Sequence, residues 1–142
     1  MGQKINPIGF RVGITKAWDA KWFANKRNFA KILHQDLAIR KVIADKLKEA
    51  GVSKVEIIRN ANQVTLNIHS SRPGIAIGSQ GAAIESLRKD LESRFHDRFN
   101  VNIKEIKKPY SDAYILAEMV VKQIEKRIPY RRACKMSVER AL

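Results

Sequence analysis

Hydrophobic positions along this chain change period several times, and each change predicts an element. Ile39, Ile43, Leu47 and Ala50 recur every three to four residues, the spacing of one helix face, and Gly51 is placed to follow the C-cap. The period then drops to two. Val55 and Ile57, then Val64, Leu66 and Ile68, flank the polar stretch Asn60-Ala61-Asn62-Gln63, which predicts an antiparallel pair joined by a hairpin turn. Arg72-Pro73-Gly74-Ile75-Ala76-Ile77 reads as a short helix with proline in its first turn, running straight into Gly78-Ser79-Gln80-Gly81. Next, Ile84, Leu87, Leu91 and Phe95 fall on one stripe of an amphipathic helix, with Glu85 and Lys89 as an i,i+4 pair outside it. Val101 and Ile103 alternate as a third strand. Beyond Lys107-Lys108-Pro109, Leu116, Val120, Ile124 and Ile128 trace another helix that Pro129 ends, and Tyr130, Cys134, Val138 and Ala141 form the apolar stripe of a last one.

The beginning of the chain has no such period. Residues 1–16 contain no acid, and Asn6-Pro7, Gly9 and Gly13 interrupt any helix or strand, which predicts a basic, irregular arm. Ile5, Ile8, Phe10, Val12 and Ile14 make it too apolar for a purely solvated tail, so the arm is expected to dock on something. Trp18, Trp22, Phe23 and Phe29 follow in a short stretch, and packing of a helix onto its domain is the favoured role for them over base stacking. The pattern divides the chain into an arm over 1–16, a mixed α/β module over 17–108 and, over 109–142, the helical start of a truncated further domain.

Composition narrows the partner. The 142 residues carry 28 Lys plus Arg against 14 Asp plus Glu, a formal charge of +14, and 44% hydrophobic residues support a folded core. Such a balance favours a polyanion, nucleic acid first. No apolar run approaches the ~20 residues of a spanning helix, so no membrane role is expected. Cys134 is the lone cysteine, which excludes an internal disulfide, and His34, His69 and His96 are far apart with no ligand spacing, so no metal, cofactor or small-molecule substrate is expected. No lysine has an evident means of lowering its pKa, and no nucleotide-binding loop of the GxxxxGK[ST] kind is present, so the chain does not read as an enzyme.

The chemistry rests on Gly78-Ser79-Gln80-Gly81. Two glycines bracketing two residues let a backbone approach a ligand closely, and a helix start directly after them favours an anion. A bare GXXG is weak evidence, because the same spacing serves ordinary turns. Its context is stronger: helix, two strands, short helix, glycine loop, long helix, strand is the αββααβ order of a type II KH domain, an α+β fold with a three-stranded sheet and helices on one face, here with a basic N-terminal arm and a C-terminal helical pair. In KH domains this loop clamps about four nucleotides by their backbone. Ile75, Ile77 and Ile84 then floor a groove for bases, although each alone reads equally well as core. Lys4, Arg11, Lys16, Arg72, Ser79, Gln80 and Arg88 are the accompanying candidate RNA contacts.

Four separated motifs, residues 1–11 (MGQKINPIGFR), 22–25 (WFAN), 71–78 (SRPGIAIG) and Arg131-Arg132-Ala133-Cys134-Lys135, resemble the family of bacterial-type small-subunit ribosomal protein S-three, and the match runs along essentially the whole chain. The resemblance implies a place in the head of the small ribosomal subunit, in the cytoplasm or in an organelle, with ribosomal RNA, messenger RNA and neighbouring head proteins as partners. It implies that Arg131, Arg132 and Lys135 face the channel through which messenger RNA enters, a role the pattern alone does not give, since such a cluster reads as a solvated helix face. Many relatives carry lysines where Ser79 and Gln80 stand, so backbone amides are expected to carry more of any phosphate contact here.

Overall fold

The computed structural model describes residues 2–60 and 63–142, so two residues of the expected hairpin turn, Ala61 and Asn62, lie outside the described residues with Met1. In chain order the elements are α1 (Pro7–Arg11), β1 (Ala20–Lys21), α2 (Lys26–Lys46), β2 (Val52–Asn60), β3 (Gln63–Ser70), α3 (Pro73–Ile77), α4 (Ala82–Phe95), β4 (Phe99–Glu105), α5 (Ala113–Glu125) and α6 (Tyr130–Ala141). From α2 to β4 the order is αββααβ, the type II KH arrangement.

Strand β2 runs antiparallel to β3, and β3 runs parallel to β4. The register sets Val55 beside Ile68 and Ile57 beside Leu66, then Leu66 beside Val101 and Ile68 beside Ile103. Side chains alternate along a strand, so these rows line one face. Ile39 and Ile43 of α2 and Leu87 and Leu91 of α4 pack on it to form the core. Glu56, Asn67 and Asn102 pair along the other face.

Several expectations are corrected. The two-residue strand β1 joins the sheet parallel to β2, making four strands in the order β1-β2-β3-β4; two residues are too few to show alternation. The arm is not wholly irregular. The Asn6 side chain accepts hydrogen bonds from the amides of Ile8 and Gly9 at 2.9 and 3.2 Å, so Asn-Pro acts as N-cap and first residue of α1 rather than as a breaker. That helix buries none of its residues. Among the early aromatics, Trp22 packs as expected, its ring 5.4 Å from that of Phe29 and its indole N–H donating to Asp36 at 2.7 Å. Trp18 and Phe23 do not: Phe23 is 92% exposed, because the stretch before α2 is not helical and no period gathers the rings on one face.

Helix α2 is longer than its apolar period and ends at Lys46, so Gly51 sits beyond a further turn, at φ +62, rather than directly after the cap. Helix α5 ends at Glu125; Arg127 reverses the chain at φ +61, and Pro129 is the N-cap of α6. The stripe assigned to α5 is also displaced, with Ile115 buried and Ile124 exposed. In α6 the assigned stripe faces outward. Tyr130, Cys134 and Val138 are exposed, while Ala133 and Ser137 are buried. Small side chains at the contact let the two helices approach closely, and the bulkier residues are left outside.

Candidate nucleic-acid interface

The exit from β3 is fixed by a buried hydroxyl. Ser70 Oγ donates to the Ala50 carbonyl at 2.6 Å and accepts from the Arg72 amide at 3.1 Å, setting where α3 begins. Proline opens α3, Ala76 anchors it in the core, and Ile75 and Ile77 remain exposed beside the half-buried Ile84. That exposure suits a groove floor better than core.

Gly78 ends α3 at φ +73, ψ 179, a region open essentially to glycine alone. A Cβ there would stand 2.8 Å from Ala83 Cβ and 3.1 Å from the Ala83 amide nitrogen, so the loop touches the start of α4. Gln80 takes a left-handed conformation, and Gly81, at φ +84, is the N-cap of α4 with open space around it. Among the described residues no side chain caps α4. Its first-turn amides therefore have no side-chain acceptor, and with the positive end of the helix dipole they form an anion-seeking surface beside exposed Ser79 and Gln80. Glu85 is the acid in that first turn.

Of the predicted cations, only Arg72 is brought to the loop by local structure, as the exposed N-cap residue of α3. Arg88 lies two turns into α4 and is engaged with Glu92 at 3.2 Å. Lys4, Arg11 and Lys16 are exposed on the arm, Arg11 folding back to donate to the Pro7 carbonyl at 3.3 Å. Arg131, Arg132 and Lys135 are exposed on α6, with the Arg131 guanidinium 5.8 Å from the centre of the Tyr130 ring. The candidates therefore lie on three parts of the chain, the arm, the α3–α4 region and α6. Sequence reasoning missed Ser70, whose role depends on a contact twenty residues away. Among the described residues no group of three or more His, Cys, Asp or Glu could hold a metal ion, and no helix is long and apolar enough to cross a membrane.

A family model described as KH domain matches residues 38–111. Curated relatives align with all of this chain. The small ribosomal subunit protein uS3 of Carboxydothermus hydrogenoformans is 52% identical over 142 residues, covering 64% of that relative. That of Pelotomaculum thermopropionicum is 51% identical, with 62% of the relative covered, and that of Trichlorobacter lovleyi is 51% identical, with 67% covered. The chain thus spans a little under two thirds of the first two relatives.

Proposed function

The chain belongs to the family of small ribosomal subunit protein uS3, and from that premise we propose that it is a non-catalytic, RNA-binding constituent of a bacterial-type small ribosomal subunit. One observation carries the reading: the uncapped N-terminus of α4 opens directly from a loop whose two glycines both hold positive φ. In this reading the loop amides other than those of Gly78, Gly81 and Ala82, which already bond the carbonyls of Gly74, Gly78 and Ser79, orient an RNA backbone, Ile75, Ile77 and Ile84 meet the bases, and Arg72 supplies charge beside the loop. Arg88 contributes only on leaving Glu92. Lys4, Arg11 and Lys16 give the arm an electrostatic hold on ribosomal RNA. The arm over 1–16, the KH domain over 17–108 and the helices over 109–142 act as three parts of one interface.

Arg131, Arg132 and Lys135 are proposed to contact messenger RNA. Two arginines in the first turn of α6, with no acid among them, oppose the helix dipole. Such placements each cost about 0.3–1 kcal/mol. A helix that tolerates them is better explained by an anionic partner than by its own stability.

The test is the double substitution Ser79→Asp and Gln80→Asp. Two carboxylates at the loop tip should weaken binding of a single-stranded RNA by about 1–3 kcal/mol, the usual worth of charge-assisted contacts. Fluorescence anisotropy at fixed salt reads this directly, and unchanged affinity means the loop is not a phosphate site.

A further inference from the structure

A cleft of about 460 Å³ separates the end of the KH domain from the two C-terminal helices, lined on one side by Gly51, Ser71 and Arg72 and on the other by Tyr110, Gln123 and Arg140. Lys126 also lines it. Among the described residues, Arg72, Lys126 and Arg140 enter no ion pair, although other cations across the molecule do. Of the two lining acids, Glu118 is neutralised by Lys122 at 2.8 Å, and Glu49 is outnumbered by those three cations.

Two of the lining side chains are left short of partners. The Arg140 guanidinium carbon stands 5.9 Å from the centre of the Tyr110 ring, and its Nη1 rests 3.1 Å from Met119 Sδ, a weak acceptor for a group with five donors. Among the described residues, Gln123 Oε1 is buried with no hydrogen-bond partner. A buried amide oxygen normally has one, so the site is built for a ligand that brings a donor.

We propose that this cleft is a second RNA site, in which Arg72, Lys126 and Arg140 hold a phosphodiester and the Tyr110–Arg140 pair receives a base of the same strand that the glycine loop binds. The inference rests on the RNA-binding reading above and extends it to residues outside the loop. Arg72 joins the two sites. It caps α3, whose five residues span roughly 7–8 Å at 1.5 Å per residue, and the loop begins at the other end. An arginine lying against an aromatic ring is a surface on which any base stacks, and the cleft volume falls within the range of small-ligand sites. An acidic protein segment would satisfy the cations and could donate to Gln123 through its backbone amides, but its carboxylates would leave the aromatic surface of Tyr110 without use.

The experiment uses the full chain and two labelled oligouridylates, one of about four nucleotides, enough for a KH loop, and one roughly three times longer. In the double variant Lys126→Gln and Arg140→Gln, the longer RNA should bind about tenfold more weakly, with a salt slope lower by roughly 0.7, since one phosphate is no longer neutralised. The short RNA should be unaffected. Lys126→Gln alone, at an exposed position, should show about half the slope change and serves if the double variant unfolds. Should the longer RNA keep its affinity and slope in both variants while Ser79→Asp with Gln80→Asp weakens both lengths, the cleft proposal fails and the RNA-binding reading stands. If none of the variants changes anything, both fail. Loss of binding to polyglutamate with RNA binding intact would assign the cleft to a protein partner and overturn the proposal.

Discussion

Gly78 and Gly81 bracket the same loop and both hold positive φ, yet their demands differ. At φ +73, ψ 179, Gly78 occupies a conformation that costs a side-chain-bearing residue about 1–3 kcal/mol, and an added Cβ would also press on Ala83. Gly81, at φ +84, ψ 6, has open space around it, so alanine there meets only the left-handed penalty of about 1–2 kcal/mol. Gly78→Ala should therefore lower the urea midpoint more than Gly81→Ala at an unchanged m-value; equal midpoints would contradict the close approach of loop and helix. The sequence made both glycines legible, because their spacing before an amphipathic helix is local. The contact with Ala83 was not legible, because it depends on how the loop turns onto α4, nor was the Ser70 hydroxyl, whose acceptor Ala50 lies twenty residues away.

Elements with a sustained period could be read directly. Strands β2, β3 and β4 alternate, and Leu87 and Leu91 keep one face of α4 in the core. Helix α6 shows the limit: its period locates an apolar stripe but does not say which side packs, and packing chose Ala133 and Ser137. Helix α1 and strand β1 are too short to show any period.

Helix α2 is tied to the hairpin by a contact no motif announces. Asp36, 3% exposed, accepts from Arg59 at 2.6 and 2.8 Å and from the Trp22 indole. Asp36→Ala leaves the largely buried Arg59 guanidinium with only Asp97, at 3.6 Å, and should cost about 3 kcal/mol in chemical denaturation; a loss below about 1 kcal/mol would show the pair to be dispensable. On the open sheet face, Glu56 lies 3.0 Å from Lys54, 3.7 Å from His69 and 3.8 Å from Lys104. The hydrogen bond from Lys54 holds its carboxyl below the ordinary 4.5, against the opposing effect of burial. A depressed acid lends stability above its unfolded value and loses it as pH falls through the folded one. Between about pH 7 and pH 3, wild type should therefore lose more stability than Glu56→Gln, and parallel losses would contradict this role for Glu56.

At the scale of the molecule, a charge of +14 is spread over arm, KH domain and α6, while Ser79 and Gln80 leave the loop tip itself uncharged. Attraction and orientation are thus divided. In the proposed function, cations on the arm, on α6 and in the cleft draw RNA in, and loop amides fix its backbone. Composition made the polyanionic partner legible, whereas the convergence of Arg72, Lys126 and Arg140 on one cleft required the packing of α5 and α6. The proposed function requires specific association with small-subunit ribosomal RNA, which sedimentation through a sucrose gradient with that RNA and an excess of unrelated RNA can measure. The chain is predicted to travel with the ribosomal RNA and to be released progressively as salt rises. A chain that stays at the top of the gradient, or is displaced equally by the unrelated RNA, would contradict the account.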